Sequence, residues 1–320
     1  QTLKTDLEHL VLKRTAELNS SEHKFRSLVE NLRNEYFFYQ RDCEGIFTYI
    51  SPSITNILGY TVDEFMIHSH EYLTDNPVNL KLDEHIKPCS QGIHDSPYQL
   101  EIYDVEKNIH WLEVTDTLVY DEYSNCIGVD GIVHDITLRK QADDRLIWLS
   151  YYDELTGLAN RRLFADQLQH VISMAHRTNE PVSLFYMDLD RFKFVNDTMG
   201  HAVGDEVLKE TARRISSTLR DSDMAARLGG DEFALLLPAT DADGAAPVAE
   251  KILKKLREPY IFNELEFTLG GSIGIAVCPQ NTSHSETLIH FADTAMYHAK
   301  QGKHGVSFYC ESMQQNKAIG

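Results

Sequence analysis

The residues best suited to chemistry are acids in the C-terminal half. Asp188-Leu189-Asp190 closes an apolar run, and Asp231-Glu232 directly follows Gly229-Gly230. Carboxylates gathered at a strand terminus and a hairpin tip repel one another unless a hard divalent cation lies between them. Oxygen-only ligands with phosphate nearby favour Mg²⁺. The paired glycines leave the backbone open to a ligand, because no side chain blocks the approach. Together these residues point to a centre that binds nucleotide phosphates through metal. Gly-Gly alone would suit an ordinary hairpin turn with solvated acids at its tip. The whole string Gly229 to Phe233, however, arises by chance in about one in a few thousand chains of this length.

Positioning those acids requires a particular set of elements. Val182 to Met187 reads as a continuous apolar strand that ends in Asp188-Leu189-Asp190, and Met224 to Leu228 and Phe233 to Pro238 read as two strands joined through Gly229-Gly230. Helical spacing predicts one amphipathic helix over Leu163 to Arg177, through Phe164, Leu168, Val171 and Ala175. A second carries Leu208, Ala212, Ile215 and Leu219. A helix near Val248 to Leu256, paired strands within Tyr260 to Val277, a helix over Leu288 to Lys300 and a strand at Val306 to Tyr309 complete this half. From Glu35 to Thr137 the chain shows short alternating runs separated by turn clusters, which predicts an antiparallel sheet with small helices between strands. Leu7 to Leu32 and Leu138 to Tyr152 carry near-heptad apolar spacing and read as helices able to form short coiled coils.

The chain has 320 residues, which suggests two domains at about 150 residues each. With 42% hydrophobic and 25% charged residues, it has the composition of globular protein, which excludes disorder as the main theme. The formal charge of -19 disfavours non-specific attraction to nucleic acid or anionic lipid. Any polyanionic ligand must be held by local devices such as metal ions and backbone amides. No apolar run approaches a membrane span, and Gln1 to Ser20 is too polar for a signal peptide, so a cytoplasmic location is expected. The start at Gln1 rather than Met predicts a further segment upstream, such as a sensor or membrane anchor. The five cysteines are scattered without Cys-x-x-Cys spacing and read as reduced and structural.

Arg227-Leu228 followed by Gly229 to Phe233 resembles the signature of GGDEF-family diguanylate cyclases, which condense two GTP into cyclic di-GMP and pyrophosphate. Further blocks agree in order: Asp153 to Arg162 at the opening, Asp188 to Asp205 in the centre, and Ala292 to Lys300 near the end. The resemblance spans about Leu149 to Tyr309. It implies a ferredoxin-like α/β fold with a central antiparallel sheet, and two Mg²⁺ or Mn²⁺ ions per active site. By position, it assigns metal coordination to Asp188, the Leu189 carbonyl, Asp231 and Glu232. The catalytic acids are Asp231 and Glu232, with the general base left open between them. It places Phe192, Lys193, Asn196, Asp205, Gly229, Gly230 and Lys300 around the substrate, with Asn196 and Asp205 on guanine. An acid suits guanine, whose N1-H and N2-H one carboxylate accepts together, whereas adenine would leave both partners unsatisfied. Arg220-Asp221-Ser222-Asp223 matches the family's inhibitory motif, so Arg220 and Asp223 form the expected product site. After Lys300 the spacing is one residue shorter than usual, which leaves the role of Lys303 and His304 open.

The region from about Ser21 to Thr137 resembles PAS sensory domains in Phe25-Arg26-Ser27-Leu28, Tyr49 to Ser53, Leu58-Gly59-Tyr60, Trp111 and Asp135-Ile136-Thr137. The ligand of such a domain is not legible. His68, His70, His85 and His94 could ligate haem, but among 15 histidines a surface or core role is the better prior. The expected layout is an N-terminal helix over 1–21, a PAS domain over 22–137, a helical stalk over 138–152, a GGDEF domain over 153–312 and a tail over 313–320. Because one domain holds one GTP, two must meet across a twofold axis, so a homodimer is implied. The partners are GTP and cyclic di-GMP, with no nucleic acid and no membrane segment. The chief alternative is an inactive GGDEF module that serves as a cyclic di-GMP receptor. Another is a GTP-binding regulatory domain acting through protein contacts.

Overall fold

The structure is a computed structural model and describes residues 34–82, 97–262, 265–302 and 305–313. The expected N-terminal helix, the motif Phe25 to Leu28, Cys89, His85, His94, Lys303, His304 and residues 314–320 lie outside the described residues. The chain divides into two compact units, Gln1–Asp144 and Arg145–Gly320. The fold is mixed α/β with antiparallel sheets, as expected.

In the first unit, β1 (Tyr36–Arg41), β2 (Phe47–Ile50), β3 (Tyr98–Tyr103), β4 (Ile109–Tyr120) and β5 (Cys126–Asp135) form one antiparallel sheet in the order β2-β1-β5-β4-β3. Helices α1 (Ser53–Leu58) and α2 (Val62–His68) lie in sequence between β2 and β3. Alternation along the strands sends Phe37, Tyr39, Leu112, Val114 and Val133 into a core with Ile54, Leu58 and Phe65. The same alternation turns Arg41 and Asp116 inward, where each is buried. Helix α3 (Thr137–Tyr151) follows β5.

The second unit is a three-layer sandwich. Its elements are α4 (Arg161–Thr178), β6 (Val182–Asp190), α5 (Phe192–Met199), α6 (His201–Ser216), β7 (Met224–Gly229), β8 (Glu232–Pro238), α7 (Ala242–Leu256), β9 (Tyr260–Phe262), β10 (Leu265–Phe267), β11 (Gly270–Cys278), α8 (Ser285–Gly302) and β12 (Val306–Phe308). The central sheet runs β12-β11-β6-β8-β7, antiparallel except for the β11–β12 edge, while β9 and β10 form a separate hairpin. Strand β6 is buried on both faces, which explains its continuous apolar reading. Phe185, Met187 and Leu189 enter one core with Leu208, Ile215 and Ile252. Leu184 and Tyr186 enter the other with Phe164, Leu168, Leu288 and Ala292.

Strand β6 ends in Asp188-Leu189-Asp190, as expected, because these residues keep pairing with Ser272, Gly271 and Gly270 of β11. One boundary differs from the sequence reading. Leu219 falls beyond α6, which ends at Ser216 with Ser217 as its cap. Cys43, Cys126, Cys278 and Cys310 are free thiols, as read. Among the described residues no helix is long and apolar enough to cross a membrane.

Candidate active site

Strand pairing sets Asp188 directly opposite Glu232, on the same face of the sheet as Tyr186. Asp231 joins them from the hairpin tip, where its backbone carbonyl accepts from the Leu189 amide at 3.3 Å. At that tip Gly229 and Gly230 adopt φ of +140° and +55°, conformations an L side chain rarely takes. A Cβ at either position would meet open space, so a ligand can lie against this backbone. Arg227 fixes the tip: its Nε and Nη2 donate to the Gly230 carbonyl at 3.0 and 2.9 Å, and its Nη1 donates to both Asp153 oxygens at 3.1 and 3.2 Å. Burial alone would raise the Asp153 carboxyl, but hydrogen bonds from Thr156 and Arg227 outweigh it and hold it below the ordinary range.

The field at this edge is negative. Burial, with the Asp231 and Asp190 carboxylates, pushes the Asp188 carboxyl up despite the pull of Lys300. Lys300 Nζ, carried by α8, donates to Asp188 Oδ1 at 2.6 Å. Burial works against the Lys300 charge, but Asp188 outweighs it and raises the ammonium. Glu232 Oε2 accepts from the Tyr186 hydroxyl at 3.0 Å and lies 3.7 Å from the Arg161 guanidinium. Burial and that bond to Glu232 push the Tyr186 phenol up to about 12. Arg161 reaches this place because Asn160 caps α4 through the Arg162 and Leu163 amides, at 3.0 Å each.

The donors fit a hard divalent cation in kind, being carboxylate and carbonyl oxygens. Among the described residues, no three or more of His, Cys, Asp and Glu are already gathered as a metal cluster. The reason is local, since Lys300 engages Asp188 while Tyr186 and Arg161 engage Glu232.

Asn196 and Asp205 lie on either side of the Gly200 break between α5 and α6. Asn196 Oδ1 is buried and has no hydrogen-bond partner among the described residues. It sits so close to α6 that a Cβ on Gly204 would fall 1.9 Å from it. Asp205, next to Gly204, is exposed, as is Lys193. Phe192 is 7% exposed within the hydrophobic core, so it supports α5 from beneath rather than facing solvent. Arg220 and Asp223 share a turn in which Arg220 N donates to Asp223 Oδ2 and Asp223 N donates to the Arg220 carbonyl, both at 3.0 Å. Their side chains form no ion pair with each other, which leaves the exposed Arg220 guanidinium open to a ligand.

The structure brings Asp188, Leu189, Asp231, Glu232, Gly229, Gly230 and Lys300 to one edge. Sequence reasoning gave no role to Tyr186, Arg161 or Arg227. Tyr186 was findable, because it lies two residues before Asp188 on the same strand face.

Residues 150–305 match the family described as Diguanylate cyclase, GGDEF domain. Over 177 residues the chain is 44% identical to the bifunctional diguanylate cyclase/cyclic di-GMP phosphodiesterase MucR of Pseudomonas aeruginosa, covering 55% of this chain and 26% of MucR. It is 30% identical over 315 residues to the signaling protein YkoW of Bacillus subtilis, covering 96% of this chain and 38% of YkoW. The chain thus spans less than half the length of these relatives. A solved structure of TpbB (YfiN) from Pseudomonas aeruginosa comprising only the GGDEF domain is 36% identical, with a TM-score of 0.51, and covers 52% of this chain and 99% of that one. Through residues 150–305, the chain belongs to the GGDEF family.

Proposed function

We propose that residues 150–305 form a diguanylate cyclase that joins two GTP into cyclic di-GMP and releases two pyrophosphates. The observation that carries this reading is the placement of Asp188, Asp231 and Glu232 along one sheet edge beside the open backbone of Gly229-Gly230. Asp188, the Leu189 carbonyl, Asp231 and Glu232 would hold two Mg²⁺ or Mn²⁺. Metal bound there neutralises triphosphate charge and lowers the barrier to in-line attack of a ribose 3′-hydroxyl on an α-phosphorus. Gly229 and Gly230 admit the phosphates, and Lys193 and Lys300 supply positive charge to them. Asn196, whose Oδ1 has no hydrogen-bond partner among the described residues, is read on guanine, and Asp205 takes the neighbouring N–H donors. Phe192 holds the Asn196 helix in place from the core. Asp231 or Glu232 accepts the hydroxyl proton. Incubation with GTP and Mg²⁺ followed by nucleotide chromatography tests this reading. Cyclic di-GMP and pyrophosphate are expected, whereas unchanged GTP would leave a receptor or regulatory domain in its place.

Making two phosphodiester bonds needs two domains face to face, so the working form is read as a homodimer. The exposed apolar residues Leu138, Leu146, Ile147 and Leu149 of α3 support a helical stalk that pairs with its copy. The strand order of the first unit, with its helices inserted between β2 and β3, supports the reading of a PAS sensor. A change in its state would alter the geometry of the stalk. A GTP substrate supports the reading of a cytoplasmic domain.

Arg220 and Asp223 are read as a product-inhibition site, in which the guanidinium meets guanine O6 and N7. Loss of that charge-assisted pair in Arg220→Ala should raise the cyclic di-GMP concentration needed for half-inhibition by about tenfold or more. Initial rates with added product read this directly, and an unchanged inhibition curve would remove Arg220 from the site.

A further inference from the structure

The first unit holds a charged side chain that its own packing leaves partly unanswered. Arg41 and Asp116 turn inward from β1 and β4, with side chains only 5% and 2% exposed. Asp116 accepts from the Tyr39 hydroxyl and from Arg41 Nη2. Arg41 Nε is buried and has no hydrogen-bond partner among the described residues. Beside it lies a cavity of about 80 Å³ whose wall carries Arg41, Tyr39, Tyr98 and His70 and is otherwise apolar, with residues such as Phe37 and Leu112.

Three features define what would fill this space. A cavity of about 150 Å³ admits benzene, so this one suits a molecule smaller than benzene and is far too small for haem. The Arg41 charge is already matched by Asp116, so an anionic ligand would leave uncompensated negative charge in the core. Burial keeps Tyr39 and Tyr98 protonated, the latter with its phenol pushed up to about 12, so neither adds charge to the wall. We propose that the cavity binds a small neutral molecule with an apolar body and one hydrogen-bond acceptor, received by Arg41 Nε, with a short-chain ketone as the type ligand. The proposal concerns the unit read above as the sensor, but it rests on the cavity itself and is tested without GTP.

The test uses the full chain and 2-butanone, followed by saturation-transfer NMR. The comparison ligands are 2-methyl-1-butene, in which a CH₂ group replaces the carbonyl oxygen, and propionate. Saturable binding of 2-butanone is expected, with both comparison ligands weaker by about tenfold or more. In the double variant Arg41→Met with Asp116→Leu, which replaces the buried pair by apolar groups of similar size, the preference for ketone over alkene should vanish. Equal binding of ketone and alkene to the unchanged chain, tighter binding of propionate, or no saturable ketone binding would each overturn the proposal. These comparisons stand even where the double variant does not fold.

Discussion

Asp231→Asn should lower cyclic di-GMP synthesis by about a thousandfold or more while leaving the melting temperature unchanged or slightly higher. The amide keeps the shape of the carboxylate but not its charge, so it would weaken the metal-binding set proposed above, which would neutralise triphosphate. A thousandfold loss corresponds to about 4 kcal/mol of transition-state stabilisation. The expected stability follows from the surroundings. The Asp231 backbone carbonyl, which accepts from Leu189, is untouched by the change. The Asp231 charge is one of the causes that push Asp188 up, so its removal relieves repulsion at a partly buried site. Nucleotide chromatography and a thermal melt on the same sample separate the two effects. Normal turnover would count against the metal assignment, and a large drop in melting temperature would show that Asp231 has a structural role.

Gly274→Ala should destabilise the second unit by roughly 3–5 kcal/mol, because α8 packs its backbone directly on β11. A Cβ at Gly274 would fall 2.0 Å from the Met296 amide nitrogen and 2.1 Å from the Ala292 carbonyl oxygen. Backbone atoms cannot swing aside as a side chain can, so the helix must lift. Ala292, Ala295 and Ala299, all fully buried on the same helix, would lose their packing. At roughly 2–4 °C per kcal/mol for a domain of this size, the melt should fall by about 6–20 °C. The same movement draws Lys300 away from Asp188, so activity per folded molecule should fall as well. A melt within a degree or two of the parent would mean that β11 and α8 adjust independently of the site.

Much of the site was legible because its chemistry is written in contiguous strings. Gly229 to Phe233 carries both the turn and the acids, since a hairpin tip is a local structure whose neighbours in space are neighbours in sequence. The continuous apolar run of β6 likewise announced a strand buried on both faces. Its end in Asp188-Leu189-Asp190 was legible too, whereas the partner strand β11 that pairs with those residues was not. That Phe192 packs into the core was not legible, because helix phase relative to the sheet is set by long-range packing.

The sequence alone determined which residue types this protein carries for phosphate and metal chemistry, and in what order its elements follow one another. Periodicity and turn chemistry act over a few residues and need no partner to be read. The tertiary structure alone decided that Lys300 meets Asp188 across 112 positions, that Tyr186 and Arg161 hold Glu232, and that Arg41 and Asp116 share a core. Such pairings depend on strand register and on the distance at which a helix settles against a sheet. Both are fixed by the packing of many residues at once rather than by any short stretch of chain.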